Sequence, residues 1–248
     1  MRALLVLALV AAPAVVPAVA HADRRSLSFA YDYQTQPEGE TEIELFTTQS
    51  RATWADGAPE AFELALGLEH GITARWDVAL THVFNQASGA AATASPLQLG
   101  DVELRTRYRF AERGQRPVDV VAYASVARQF GASAYLGEAR AIVARDFGRL
   151  TVVADAIGQV SFGAEIAEPA IGLGWAGGVT YELSPTWTVG AESWGDVDVE
   201  HTDRYQTWAG PALSWAPSSR LWVTATGGFG LNDRSDRFTL RGVVGLAL

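Results

Sequence analysis

Charged side chains recur at every second position between Asp101 and Arg109, with Glu103, Arg105 and Arg107 in the intervening places. Consecutive residues of a β-strand point to opposite faces of its sheet, so all of these side chains would lie on one face. Rings of charged side chains around an enclosed space can select solutes by charge, whereas the same acids and bases can also pair and fill that space. The stretch therefore predicts an ionic face with one of these two roles.

The same alternation assigns further charged residues to this ionic face. If the strands close into a barrel, this face lines its interior, which we call the lumen. By this register the residues that line the lumen are Glu63, Glu69, Glu103, Arg105, Arg107, Arg109, Glu138, Arg140, Asp155, Glu182, Glu192 and Arg241. Glu42 and Glu44 share the same parity. The residues alone leave a narrow charged pore and a plugging salt-bridge network open, and we favour the pore.

Few residues fit a catalytic or cofactor-binding pattern. His82 could serve as a lipid-facing base in a barrel-wall lipid-modifying hydrolase, but no serine lies at a clear spacing on its segment. Ser193 lacks the first glycine of the nucleophile-elbow pattern. The GLGWAG stretch at 172–177 lies in an alternating strand rather than at a strand-to-helix turn. We therefore predict no catalytic residue and no cofactor, and the hydrolase remains the enzymatic alternative.

A group of acidic residues near position 200 could attract divalent cations. It consists of Asp196, Asp198, Glu200 and Asp203. Oxygen ligands suit calcium or magnesium, but this spacing fits no known calcium loop. We predict a solvated acidic loop and no metal site, and the absence of cysteine also excludes thiolate ligands and disulfides.

The elements that would position the ionic face are long alternating strands. About thirteen alternating segments run along the chain, and most are longer than the roughly five or six residues on which soluble strands centre. Their lengths suit tilted membrane strands, which need about nine to eleven residues, and short turns alternate with longer loops. Because such barrels have an even strand count, we predict a barrel of about 12 strands over residues 41–248, with Leu27 to Gln34 outside it.

The predicted fold is thus an all-β, transmembrane, antiparallel up-and-down β-barrel that follows a cleaved signal peptide. Arg2, the apolar run from Ala3 to Ala20 and the small residues at 20 and 22 predict that residues 1–22 are removed. Residues 23–40 are predicted to form an N-terminal periplasmic extension or a partial strand. The alternative is a soluble secreted β-sandwich or lipocalin-like barrel, in which the apolar faces would point inward.

Aromatic residues lie beside the predicted short turns. They are Trp76, Tyr108, Phe110, Tyr181, Trp187 and Trp215. Membrane barrels carry girdles of aromatic residues where the apolar band meets the headgroups. These residues are predicted to form one such girdle.

The charge balance of the chain excludes one class of partner. The sequence has 28 acidic and 19 basic residues, for a formal net charge of −9, and every basic residue is an arginine. Sequence-independent binding of nucleic acid depends on neutralising phosphates with positive charge. We therefore predict no nucleic-acid partner.

Four stretches of the chain resemble a known group of proteins. They are EGETEIEL at 38–45, LEHGITARWDVAL at 68–80, LGDVELRTRYRF at 99–110 and FTLRGVVGLAL at 238–248. They are similar to uncharacterised outer-membrane β-barrels related to the transporter family named after the meta-pathway of phenol degradation. The resemblance implies transport of small, often hydrophobic molecules and implies no catalytic residue. Leu248 departs from the aromatic residue that commonly ends outer-membrane barrels.

The patterns and the resemblance predict a passive channel or transporter for a small solute in the outer membrane of a Gram-negative bacterium. Its partners would be outer-membrane lipids and lipopolysaccharide. A structural outer-membrane barrel without transport is the remaining alternative. The identity of the solute and the oligomeric state stay open at this stage.

Overall fold

The computed structural model describes residues 24–55, 58–88, 95–131, 134–163, 166 and 168–248, so the predicted signal peptide lies outside the described residues. The described residues form twelve β-strands and one short 3₁₀ helix, Thr202–Arg204. No helix in this part of the chain is both long and apolar enough to span a membrane. The strands are β1 Thr41–Arg51, β2 Glu60–Thr73, β3 Trp76–Ser88, β4 Gln98–Arg109, β5 Asp119–Gln129, β6 Ala134–Phe147, β7 Leu150–Phe162, β8 Ala170–Ser184, β9 Trp187–Asp198, β10 Gln206–Trp215, β11 Leu221–Gly230 and β12 Phe238–Ala247.

The strands close into an antiparallel barrel in chain order. β1 pairs with β2 along one edge and with β12 along the other, so the first and last strands are joined. Closure lets neighbouring strands satisfy each other's backbone hydrogen bonds without leaving a sheet edge. The prediction of an all-β up-and-down barrel with about 12 strands is confirmed.

The two faces of the barrel wall differ in polarity, as β4 illustrates. Arg105 and Arg107 point inward and are only 3% and 1% exposed, whereas Leu104 and Tyr108 point outward and are 56% and 47% exposed. Large apolar side chains are exposed in the same way on other strands. The wall is therefore apolar outside and carries buried charged side chains on its inner face, opposite to the arrangement of a soluble barrel.

The two ends of the barrel differ in their connections. At one end the turns at 74–75, 148–149 and 185–186 contain two residues each, and we call it the short-turn end. At the other end, the loop end, most connections are longer, as at 52–59 and 199–205, and the main exception is the long connection 110–118 at the short-turn end. This asymmetry agrees with the pattern predicted from the sequence.

Residues 24–37, which we call the inner segment, lie inside the barrel. They form bends and irregular backbone, and Leu27, Ser28, Ala30 and Gln36 are all buried. The sequence predicted a partial strand or a periplasmic extension for this stretch, and the structure differs. The alternation of apolar and polar residues resembles a strand, but the apolar side chains pack against the inner wall instead of lying on a sheet face.

Candidate functional site

The candidate functional site is the lumen, where the inner segment meets the charged wall. Glu192 of β9 accepts hydrogen bonds from the backbone N–H groups of Ser28, Phe29 and Ala30. The hydroxyl of Thr226 donates to the same carboxylate at 2.7 Å. Successive N–H groups that converge on a carboxylate form an anion-binding nest, and charge-assisted bonds are stronger than neutral ones. Glu192 therefore holds residues 28–30, which we call the apex of the inner segment.

Two further wall carboxylates bind the backbone of the inner segment. Asp155 accepts a hydrogen bond from the N–H of Tyr31 at 2.9 Å, and Asp77 accepts one from the N–H of Gln36 at 3.0 Å. Buried backbone N–H groups need a partner, and these residues have no strand neighbour to provide it. The wall carboxylates supply that partner.

Both ends of the inner segment lie at the short-turn end. The guanidinium of Arg24 donates to the carbonyl oxygens of Pro185 and Thr186 in a two-residue turn. Just after the segment, the N–H of Gly39 donates to the carbonyl of Gly71 at 2.9 Å, near the end of β2. The segment therefore enters and leaves the lumen at the same end, with its apex directed toward the loop end.

Tyr31 lies among several arginines at the centre of the lumen. The guanidinium carbon of Arg25 is 4.1 Å from the centre of its ring, and those of Arg105, Arg107 and Arg140 lie between 5.0 and 5.4 Å from it. Guanidinium groups over a tyrosine face are attracted by the ring quadrupole. Tyr31 is therefore the point at which arginines from the wall and from the inner segment converge.

A buried ion-pair network joins β1, β2, β3 and β4 beside Tyr31. Arg105 pairs with Glu44 at 3.4 Å and with Glu69, while Arg107 pairs with Glu69 and, at 2.8 Å, with Asp77. All of these side chains are at most 3% exposed. In the short-turn half of the lumen these charged side chains are therefore paired with one another and packed around the inner segment.

An apolar cluster lies beside this network. Val121, Ile142 and Val153 point inward from β5, β6 and β7 and belong to the same buried cluster as Leu27 and Tyr33 of the inner segment. These inward apolar side chains account for the mixed alternation of the middle strands. The inner segment therefore presents polar backbone to wall carboxylates and apolar side chains to this cluster.

The remaining predicted residues of the central lumen also form pairs. Arg140 pairs with Glu138 at 2.6 Å and with Asp155 at 3.6 Å. Glu103 accepts a hydrogen bond from the hydroxyl of Tyr123 at 3.0 Å. These contacts extend the network across β4 to β7.

Four predicted lumen residues lie away from this centre. Arg109 forms an ion pair with an acid of the following turn, and Glu182 is exposed beside a cavity of about 170 Å³ at the short-turn end. Glu63 is half-buried toward the loop end. Arg241 stacks against aromatic rings above the apex. Only part of the predicted set therefore gathers into one network.

The residues predicted to form an aromatic girdle all lie on the outer surface. Trp76, Tyr108, Phe110, Tyr181, Trp187 and Trp215 are between 39% and 55% exposed. Trp187 stacks on Trp215 with ring centres 5.7 Å apart, and Tyr108 meets Phe110 edge to face at 5.3 Å. They lie near the short-turn end, where their strands begin or end.

The residues weighed as catalytic or metal-binding do not assemble a reactive site. His82 is exposed on the outer face and makes no hydrogen bond or ion pair with another described residue. The Ser193 hydroxyl donates to the backbone carbonyl of Trp208 at 3.0 Å. Asp198 accepts a hydrogen bond from the N–H of Glu200 within the acidic loop. No group of three or more candidate metal ligands occurs among the described residues.

Sequence reasoning missed the inner segment as part of the site. A signal was available in Val121, Tyr123 and Ile142, which occupy inward positions of β5 and β6, beside the strongly ionic inward face of β4. Apolar side chains on the inner face of a narrow barrel require an apolar partner inside it. Within this chain, residues 27–33 supply that partner.

Comparison with solved structures places this architecture among outer-membrane barrels. The chain resembles an outer-membrane channel from Pseudomonas putida F1 with a TM-score of 0.67 and 13% identity, over 88% of this chain and 98% of that one. It resembles the NanC porin (TM-score 0.56, 12% identity, 83% and 98% covered) and the KdgM porin (TM-score 0.56, 11% identity, 83% and 97% covered), the latter solved in complex with disordered oligogalacturonate. No protein-family model and no curated protein matches the sequence. The shared feature is the fold, that of outer-membrane channel and porin barrels.

Proposed function

We propose that this protein is an outer-membrane channel or transporter through which a small solute passes when the inner segment shifts. The observation that carries the proposal is the division of the closed wall into an apolar exterior and a charged interior. An apolar exterior suits lipid, and a charged interior suits a hydrated solute pathway. The exterior would contact outer-membrane lipids and lipopolysaccharide.

The inner segment sets the condition for passage. Arg105, Arg107 and Glu69 are at most 3% exposed, and Tyr31, which they surround, is 9% exposed. A solute that crosses the barrel therefore has to displace residues 24–37 or wait for their displacement. The contacts that hold the segment are hydrogen bonds, ion pairs and apolar packing rather than strand pairing, so they can be exchanged without opening the wall.

The sequence resemblance refines the proposal. The motifs at 99–110 and 238–248 favour a relative of the meta-pathway transporter family, and hence a small, often hydrophobic cargo. An enzymatic role has less support, since His82 has no described partner that could activate a nucleophile. We infer a transport function without catalysis.

Planar-bilayer recording tests this proposal. The wild-type protein is compared with a variant in which residues 26–36 are replaced by a glycine-serine linker of the same length. We expect low conductance from the wild type and a several-fold larger conductance from the variant, because the linker retains neither the apolar cluster nor Tyr31. Heat-modifiable migration on a gel serves as the control for folding of both proteins.

A lack of channel activity in both proteins would contradict the transport proposal. If both folded proteins give no channel events and no solute uptake into liposomes, the protein is a structural barrel without transport. Phospholipid turnover that is lost in His82→Ala would instead favour the hydrolase.

A further inference from the structure

Arg241 differs from the other arginines that point into the lumen. Its guanidinium lies over the ring of Phe29, 5.2 Å from the ring centre, and over that of Phe46, 5.3 Å from the ring centre. Among the described residues no carboxylate lies within ion-pair distance of it, and it donates no hydrogen bond. By contrast, Arg105 and Arg140 each pair with two acids.

The stacking leaves one side of the Arg241 guanidinium available. Its Nε atom is buried and has no hydrogen-bond partner, whereas its two terminal nitrogens are not fully buried. Those nitrogens make no hydrogen bond with a described residue, so they are open to solvent. The two rings fix the plane of the guanidinium, which presents its donors in a preformed fork.

The position of Arg241 places this fork on the loop side of the apex. On neighbouring strands it lies directly opposite Thr48 and Thr226, which share its inward face. Thr48 also lines a cavity of about 380 Å³ toward the loop end. A solute entering from the loop end therefore reaches Arg241 before it meets the buried network around Tyr31.

We propose that Arg241 is the binding site for the carboxylate of a small organic anion that enters from the loop end. This inference rests on the proposed transport function and names the chemical class of its solute. A guanidinium binds a carboxylate through two parallel N–H···O bonds, and no acid among the described residues occupies this one. Phe29 belongs to the inner segment, so the bound anion would lie against the apex that obstructs the lumen.

Acetate, the smallest carboxylate probe, tests the site directly. The ¹³C line width of labelled sodium acetate is measured with refolded wild-type protein in micelles and with Arg241→Gln. We expect wild-type protein to broaden the signal and the variant to bind acetate roughly tenfold more weakly, since one charge-assisted pair is lost. Arg241→Lys, which keeps the charge but loses the planar fork, should bind with intermediate strength.

Arg128→Gln is the matched control. Arg128 also stacks on two aromatic rings, those of Phe130 and Tyr135, and also lacks a carboxylate partner among the described residues, but it lies on the outer face. It should leave acetate binding unchanged. Equal broadening by wild type and Arg241→Gln, or equal losses in Arg128→Gln and Arg241→Gln, would overturn the site.

Bilayer recordings on the same proteins separate this inference from the transport proposal. If the wild type conducts ions but does not broaden the acetate signal, the transport proposal stands and the Arg241 site is wrong. If the wild type broadens the acetate signal in an Arg241-dependent way but neither conducts ions nor takes up solute, the site stands and the transport proposal is wrong. In conducting protein, Arg241→Gln should shift the reversal potential toward cation selectivity, and an unchanged potential would count against the site.

Discussion

Glu192 is the residue on which the closed state of the lumen depends most directly. Its carboxylate accepts hydrogen bonds from three backbone N–H groups of the apex and from the hydroxyl of Thr226, and all but the bond from Phe29 are fully buried. Buried charges are stable only when their hydrogen-bonding capacity is filled, so the apex and Glu192 stabilise each other. The carboxylate of Glu192 and the backbone of the apex thus form one hydrogen-bonded unit.

Replacing Glu192 by glutamine should release the apex. The neutral side chain keeps the size but loses the charge that strengthens these bonds, which are worth about 1.5–3 kcal/mol when one partner is charged. We expect a roughly tenfold or greater rise in the population with the segment displaced, seen as faster trypsin cleavage after Arg24 and Arg25. Glu63→Gln is the control, because Glu63 bonds the wall residue Thr48 and not the segment. Equal cleavage rates in the two variants would remove Glu192 from this role.

At the scale of elements, β2 and the inner segment depend on a close approach at Gly71. A Cβ atom at this glycine would lie 1.9 Å from the carbonyl oxygen of Pro37 and 2.5 Å from that of Gln36. Both neighbours are backbone atoms, so they cannot move aside without moving the segment. Gly71 therefore fixes how the segment leaves the lumen before β1 begins.

Gly71→Ala should displace the end of the inner segment while the barrel stays closed. We expect faster amide hydrogen exchange over residues 34–40 and higher conductance, with heat-modifiable migration retained. Gly67→Ala on the same strand is the matched control, since its Cβ would meet its nearest atom, the hydroxyl oxygen of Thr81, at an ordinary 3.4 Å. Wild-type exchange rates in Gly71→Ala would show that the close contact is not needed.

The sequence is most informative about individual strands and the direction in which their faces point. The alternation of Leu104 and Tyr108 against Arg105 and Arg107 predicted which face of β4 points inward, because a strand has a period of two. The same rule could not place Leu27 to Gln34, since a short alternating stretch can pack inside a barrel as well as join its wall. Pairing partners such as Glu192 and Ser28 are 164 positions apart, and local spacing carries no information about such contacts.

At the scale of the whole molecule, the outer surface carries exposed apolar side chains along the strands and exposed aromatic side chains near the short-turn end. Leu104 lies near the middle of β4 and is 56% exposed, whereas Phe110 follows the end of that strand and is 55% exposed. In water, exposing either side chain would have a similar free-energy cost. In a bilayer the first would lie in hydrocarbon and the second at the headgroups.

Arginine substitutions at these two positions should therefore differ in cost. Leu104→Arg should lower the free energy of unfolding in lipid vesicles by about 2–4 kcal/mol, and Phe110→Arg should lower it by about 0–1 kcal/mol. Reversible urea unfolding in vesicles followed by tryptophan fluorescence measures both. Equal effects of the two substitutions would contradict the membrane placement of this outer surface.

The return of the inner segment to the end at which it entered also determines its topology. Arg24 and Gly39 both bind near the short turns, so residues 24–37 make an excursion into the lumen and do not thread through it. The wall can accordingly close before the segment docks, and the segment can withdraw while every strand stays paired. Refolding should then have two separable kinetic phases, first barrel closure and then docking of the inner segment from the short-turn end.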